Sequence, residues 1–326
     1  MPTIHDVALR AGVSVTTVSR VINNRGYLSE ETRRKVFAAM DELHYQPNEI
    51  ARSLLKKQSN LIGLIIPTVS NPFFGQMAAS IEACAYENGM KLLLCNSLMD
   101  PAKEKEYIGM MRKNRVDGII MGSHTLEVDE YLNLNHPLVT FDRKIGGDVP
   151  YIASDNYAGG QTAAQLLLDK GCRKIAHICG NLALNMLSNR RTDGFLDTVK
   201  QHSAEHVMAE LDINVFDYPQ YEKRIRALFR EHPDIDGVFA TSDIIASFVV
   251  KIAQSLGLSV PDRLKVVGYD DILMASWFSP SLSTIRQPIE EMGNLAVDLI
   301  RRLMAGESIQ RDNLFPVELI ERESTG

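Results

Sequence analysis

Residues 4–23 read IHDVALRAGVSVTTVSRVIN, and this stretch decides the first domain. Asp6 to Ala11 carries apolar residues at helical spacing and stops at Gly12. Ser14 is a good N-cap for a second helix from Val15 to Asn23. Two short helices joined by a Gly-containing turn follow the helix-turn-helix grammar. Val7, Ala8, Val13, Val18 and Val21 are predicted to pack the pair, with Ala8 and Ala11-Gly12 keeping the approach close. Val15, Thr16, Ser19 and Arg20 then face outward, toward a DNA groove. Arg20 can donate two hydrogen bonds to a guanine, and Val15 or Thr16 can touch a thymine methyl. Ser14, Ser19, Asn23, Ser29 and Thr32 are small donors suited to phosphates.

Downstream, residues 24–27 (NRGY) read as a loop. Ser29 with Glu30, Glu31 and Thr32 starts a third helix, whose expected apolar face is Val36, Phe37, Met40 and Leu43. Pro47-Asn48 breaks it. A short helical run (EIARSLLK, 49–56) precedes the link Gln58-Ser59-Asn60. Charge separates this head from the rest. Residues 1–60 hold nine bases against six acids, a net +3, while the whole chain is −6, so the remainder carries −9. A basic head on an acidic body suggests that the head alone meets a polyanion.

From Leu61 short apolar runs alternate with amphipathic stretches. Strands are predicted at 61–66, 91–95, 117–121, 137–141, 174–179, 237–240 and 264–268. Helices are predicted at about 75–88, 102–114, 157–170, 188–202, 219–231, 244–256 and 288–305. This alternation implies parallel sheets with helices on both faces, and the continuous apolar runs fit strands buried on both sides. The strands exceed one comfortable sheet and divide near 155–160 into two β/α halves, with a cleft where their strand ends converge.

Composition narrows the function classes. Hydrophobic content of 45% with 23% charged residues is ordinary for a globular protein. No apolar run approaches the ~18 residues of a membrane span. The N-terminal MPTIHDVALRAGVS lacks the features of a secretory signal, so the expectation is a cytoplasmic protein. Cys84, Cys95, Cys172 and Cys179 form no C-x-x-C pair and read as buried reduced thiols. The histidines show no ligand spacing, so no metal and no cofactor is expected. There is no P-loop, no G-x-S-x-G and no dinucleotide-binding glycine pattern, which argues against an enzyme. Asp270-Asp271 is a carboxylate pair, but adjacent residues at a strand end usually point apart.

The segment from Thr3 to Ser59, with its blocks VSRVIN (18–23), TRRKV (32–36) and LHYQPNEIARSL (43–54), closely resembles the head of the lactose/galactose repressor family. The resemblance implies a DNA-binding domain over 1–46 and a hinge helix and linker over 47–60. It adds Thr3, Tyr27 and Tyr45 to the DNA-contacting set, and Asn48, Arg52 and Leu54 in the hinge. In the family the hinge forms on the operator, and a Leu, here Leu54, wedges open a central base step in the minor groove. An apolar wedge of this kind kinks the duplex, and an isolated eight-residue helix is marginal until something holds it.

The resemblance continues through SNPFFGQM (70–77), FDRK (141–144), SDNYAGG (154–160), NRRTDGF (189–195), VFATSD (238–243), VVGYDD (266–271) and LSTIRQP (282–288). It implies an effector-binding and dimerisation domain over 61–326, built as two doubly wound parallel-sheet lobes of the periplasmic sugar-binding type. The lobes would be about 61–157 with 288–318, and 158–287 with the C-terminal tail. The family's effector contacts fall on Phe73, Asp142, Arg191, Phe216, Ser242 and Asp270. Phe73 and Phe216 would give apolar faces, Arg191 a forked donor, and Asp142 and Asp270 acceptors for hydroxyls. Many members carry Asn where Ser242 stands, and Ser reaches less far. Asp243 and Asp271 read instead as helix N-caps.

The implied function is a repressor of a sugar-utilisation operon, most similar to the sucrose-operon branch. Its expected partners are a pseudo-palindromic operator DNA, a second copy of the chain, and a sugar or sugar phosphate of the sucrose or fructose class. Helix 75–88 and the segment 276–284, with Trp277 and Phe278, are the candidate dimer surfaces. The lactose repressor's C-terminal heptad helix has no counterpart, so a dimer is expected rather than a tetramer. Localisation is expected to be cytoplasmic, nucleoid-associated when bound. Two other readings remain open: a catabolite-control regulator using a phosphocarrier protein, and a sugar-binding transport component. The head argues against the second.

Overall fold

A computed structural model of the chain describes residues 2–46, 58–123, 125–126, 130–131, 134, 136–146, 148–183, 186–211 and 218–326. It divides into two compact units, Met1–Ser59 and Asn60–Gly326.

The first unit is helical: α1 (Ile4–Ala11), α2 (Val15–Ile22) and α3 (Glu30–Glu42). Each helix starts on a hydroxyl. Thr3 and Asp6 form a reciprocal capping box, Ser14 Oγ accepts from Thr17 N–H, and Ser29 Oγ accepts from Thr32 N–H. Such caps are each worth about 1 kcal/mol. Gly12 ends α1 at φ +66°, a left-handed cap that glycine adopts without a Cβ penalty. Val7, Ala8, Val18, Val21, Val36 and Ala39 form the small core. Three expectations need correction. Phe37 is 48% exposed rather than buried, because Val36, Ala39 and Met40 already fill the inner stripe of α3. The third helix also ends at Glu42, before the expected break at Pro47. Asn23 is the C-cap of α2, not its last turn.

Among the described residues, the second unit holds two six-stranded sheets. The first uses β1 (Leu61–Ile66), β2 (Lys91–Asn96), β3 (Gly118–Met121), β4 (Leu138–Phe141), β5 (Tyr151–Ser154) and β11 (Asp312–Phe315), in the order β11-β5-β4-β3-β1-β2. Every pairing in it is parallel. The second uses β6 (Lys174–Cys179), β7 (Glu205–Glu210), β8 (Gly237–Ala240), β9 (Lys265–Asp270), β10 (Ser283–Arg286) and β12 (Glu318–Ile320), in the order β12-β10-β9-β8-β6-β7. It is parallel except for β12, which runs antiparallel to β10. The helices are α4 (Pro72–Glu87), α5 (Pro101–Lys113), α6 (Asn156–Asp169), α7 (Arg190–Gln201), α8 (Tyr218–Glu231), α9 (Asp243–Ser255) and α10 (Ile289–Met304).

The chain passes between the sheets three times: from β5 into α6, from β10 into α10, and from β11 to β12. Helix α10 returns to the first sheet and packs on α4, where Ser80 Oγ donates to the Glu290 carbonyl at 3.1 Å. The run LFPVELIE (314–321) is split by Pro316, which has no N–H to donate, and its halves join different sheets. All four thiols are free. Cys95, Cys172 and Cys179 are buried as expected, whereas Cys84 is half-exposed on α4. No helix among the described residues is long and apolar enough to cross a membrane.

Candidate functional site

On the head, Thr16 and Arg20 are exposed side by side on α2, and Ser19 is half-buried between them. Val15 corrects the expectation of an outward residue: it is half-buried against the head core. Asn23 Nδ2 donates to the Ser19 carbonyl at 2.8 Å. The hydroxyls of Ser14 and Ser29 accept cap hydrogen bonds from Thr17 and Thr32 N–H, and Ser14 Oγ also lies 2.9 Å from Thr17 Oγ1. Thr32 Oγ1 lies 2.8 Å from Ser29 Oγ. Thr3 is exposed at the start of α1, and Tyr27 is almost wholly exposed. Tyr45 packs partly on the core. Asn48, Arg52 and Leu54 lie outside the described residues.

In the body, a cavity of about 260 Å³ opens where strand ends and helix starts converge. Of the six expected contacts, five line it: Phe73, Asp142, Arg191, Ser242 and Asp270. Phe216 lies outside the described residues. Phe73 meets Phe74 edge-on at 5.2 Å between centroids, and both rings face the cavity. Asp142 follows β4 with φ +53°, and Asp270 ends β9 with φ +114°. Strained backbone of this kind persists where the surrounding structure enforces it.

The polar side of the cavity is one connected array. Arg191 is buried at the start of α7, its guanidinium 3.6 Å from the centre of the Tyr269 ring. Its Nε donates to Asn156 Oδ1 (2.7 Å) and its Nη1 to the Thr241 carbonyl (2.8 Å). Asn156 Nδ2 donates to Asp142 Oδ1 (3.1 Å), and Gln287 Nε2 donates to Asp270 Oδ1 (2.7 Å). Asn156 and Gln287 sit at two of the three passages between the sheets. Side chains that hold the acids in place are thereby carried on the segments that join the two halves. An arginine fork, two carboxylates and facing phenyl rings suit a polyhydroxy ring with apolar C–H faces. The described residues hold no cluster of three or more metal-binding side chains.

Comparison with known proteins bears on both units. A model described as bacterial regulatory proteins, lacI family, matches residues 3–48, and a periplasmic binding protein-like domain matches residues 164–325. The sucrose operon repressor of Pediococcus pentosaceus is 40% identical over 322 residues, covering 98% of each chain. The ribose operon repressor of Halalkalibacterium halodurans is 38% identical over 326 residues, covering 100% of this chain and 97% of that one. The chain belongs to the LacI family.

Two solved structures place this LacI-family protein further. The lac repressor dimer bound to operator and the anti-inducer ONPF is similar with a TM-score of 0.88, 27% identity and 99% coverage of each chain. The periplasmic binding protein/LacI transcriptional regulator of Alkaliphilus metalliredigens QYMF, complexed with D-xylulofuranose, gives a TM-score of 0.73 at 34% identity, covering 81% of this chain and 98% of that one. The relatives are transcriptional repressors, and neither family model is a catalytic one.

Some readings of individual residues change. The N-cap of α9 is Ser242, whose Oγ accepts from Ile245 N–H at 3.4 Å, not Asp243. Asp243 is fully buried in the first turn, accepting from Ile272 N–H (2.8 Å) and Thr284 Oγ1 (2.5 Å). Asp271 caps no helix. It pairs with Arg286 and Arg322 at 2.7 Å each, pointing away from Asp270. Asn156, Thr241, Tyr269 and Gln287 were not singled out from sequence. Each lies within a motif block quoted above, and that was the available signal.

Burial pushes the Asp270 carboxyl up to about 7, with Arg191 and the Gln287 hydrogen bond pulling the other way. Asp142 is raised for the same first reason. The unfolded chain releases these protons near pH 4, so between about pH 4 and 7 the folded state binds more protons and stability falls as pH rises. His177 opposes this. It is buried neutral with a pKa of about 4, which makes stability rise between about pH 4 and 6.5. The difference between proteins isolates the carboxyl. In urea unfolding from pH 5 to 8, Asp270→Asn gains stability relative to wild type as pH rises, then levels off above about pH 7. Parallel curves would show that Asp270 titrates normally.

Proposed function

We propose that the chain represses a sugar-utilisation operon: α1 and α2 dock α2 on operator DNA, and a sugar in the body cavity changes the affinity of that contact. One observation carries this: a capped helix-turn-helix pair and a cavity lined by an arginine, two aspartates and phenyl rings occur in a single chain. Full-length similarity to sucrose and ribose operon repressors supports the coupling of the two. Thr16, Ser19 and Arg20 face base edges. Ser14, Asn23, Ser29 and Thr32, with Thr3, Tyr27 and Tyr45, position the head on the backbone. Asn48, Arg52 and Leu54 take the hinge roles that the family resemblance assigns.

The domains follow as a head over 1–46, a hinge over 47–60 and a two-lobed body over 61–326. The working form is a cytoplasmic homodimer on a pseudo-palindromic operator, nucleoid-associated when bound. Trp277, 68% exposed on the single chain, is a candidate for burial between two copies. The effector belongs to the sucrose or fructose class. The D-xylulofuranose complex of the Alkaliphilus regulator supports a furanose in this type of cavity.

The test selects the operator from a randomised duplex pool and measures its affinity with and without sugars. Sequence-specific binding that shifts with a sugar, by the ~5–150-fold typical of allosteric coupling, is the expected result. Specific binding that no sugar alters would refute the coupling. Arg20→Ala is expected to lose about 1–3 kcal/mol at one base pair of the selected site and to relax the preference there. An unchanged preference would remove Arg20 from the reading face.

A further inference from the structure

We infer that the cavity selects an uncharged sugar and discriminates against its phosphate ester, because the site sets two carboxylates, Asp270 buried and Asp142 half-buried, against a single guanidinium already bonded to Asn156 and Thr241. This rests on the sugar-effector reading above and narrows it.

Among the described residues, the charged ones lining the cavity are Asp142, Arg191 and Asp270. Every Lys and Arg from residue 61 onward lies among the described residues, and Arg191 is the one of them that lines the cavity. The remaining residues of that span include Glu127, Asp129, Asp212 and Asp217 but no Lys or Arg. With both carboxyls ionised the described lining is net −1.

Arg191 is a single cation whose bonds and charge are partly committed. Nε and one Nη1 proton are used on Asn156 and Thr241, one face lies on Tyr269, and its charge is what holds down the Asp142 and Asp270 carboxyls against burial. What remains is one donor edge, which can take two oxygens but supplies only one positive charge against a dianion. Phosphate monoesters are usually held by clusters of cations or by several free backbone N–H groups at a helix start. Helices α4, α7 and α9 begin at the cavity; α7 continues the short turn Leu187–Asn189, whose Leu187, Asn189 and Arg190 N–H groups are taken by the carbonyls of Asp142, Met186 and Leu187. At α4 and α9, Asn71 Oδ1 takes Phe73 N–H (3.0 Å), and Ser242 Oγ takes Ile245 N–H. The buried Asp243 carboxyl also occupies the first turn of α9.

The acids make the complementary demand. An ionised carboxylate is acceptor-only. Asp142 and Asp270 each have one oxygen held by a neighbouring amide, and their second oxygens call for donors from a ligand. Sugar hydroxyls are donors. A phosphate dianion at neutral pH has none, and it would bring a further negative charge beside two that are already desolvated.

Calorimetry on the full chain at pH 7.5 tests this with sucrose, D-fructose and D-ribose. Each is paired with sucrose 6-phosphate, D-fructose 6-phosphate or D-ribose 5-phosphate, and inorganic phosphate is measured alone. The expected result is a neutral sugar bound at least ten-fold more tightly than its own ester. An ester bound as tightly as its parent sugar, or more tightly, overturns the inference and leaves the sugar-effector reading intact. If no sugar and no ester binds, both fall together. Asp142→Asn removes one negative charge and should shrink the sugar-to-ester ratio. A ratio unchanged in that variant overturns the electrostatic argument.

Discussion

Gly194→Ala is expected to destabilise the body by on the order of 3 kcal/mol and to weaken sugar binding with it. Helices α6 and α7 cross at their glycines. A Cβ on Gly194 would stand 2.1 Å from the Tyr157 carbonyl oxygen, and one on Gly160 would stand 2.0 Å from the Arg191 carbonyl oxygen. Both obstacles are backbone, so neither can rotate away. Alanine gains about 1 kcal/mol in helix propensity over glycine, which is too little to offset forcing two buried helices apart. The same displacement reaches the site: Asn156 starts α6, Arg191 starts α7, and their 2.7 Å hydrogen bond spans the two helices. Gly109 is the control. It lies in α5 with nothing within 4 Å of its Cβ position, so Gly109→Ala should stabilise by up to about 1 kcal/mol. Urea unfolding of the two variants reads opposite signs. A neutral Gly194→Ala would mean that the two helices slide freely.

That crossing shows where sequence reasoning reached and where it stopped. The Gly159-Gly160 pair stood inside a quoted block, but only the packed helices reveal what the glycines admit. The amphipathic helices were placed within a few residues because their apolar stripes repeat over three or more turns. Strands that formed continuous apolar runs, such as LIGLII, were equally plain. Five strands, β5, β7, β10, β11 and β12, lie outside the seven predicted runs. In β7 (EHVMAE), Glu205 and His206 are exposed because the strand lies at a sheet edge. YIAS (151–154) and STIR (283–286) are four residues long and mix in hydroxyls; they become strands through their neighbours. At the site, charged residues that touch a cavity were legible from motif position. Residues that hold those charges were not: Asn156 reads locally as a first-turn residue and Gln287 as part of a linker. Their roles come from contacts with side chains 35 and 17 positions away.

Arg191→Met is the sharper test of the site's electrostatics. The substitution keeps an unbranched chain on α7 and removes the guanidinium that lies among Asp142, Asp270 and Tyr269. Breaking a buried charge arrangement by deleting one partner costs about 3–5 kcal/mol, because the remaining charge is left uncompensated. Here the carboxylates have an escape: they can take up protons. Without Arg191 both carboxyls rise further, so the penalty should be largest near pH 8, where protonation is hardest, and smaller near pH 5, where it is easy. Asp270→Asn in the same chain removes one of the stranded charges and should recover part of the loss at pH 8 but little at pH 5. Denaturant unfolding of the single and double variants at the two pH values reads this directly. Sugar binding should be lost in both variants, while the head, a separate compact unit, keeps its affinity for operator. A destabilisation independent of pH would assign Arg191 a packing role on Tyr269 instead. Loss of operator binding along with sugar binding would show that the array around Arg191 is needed to hold the DNA-binding state itself.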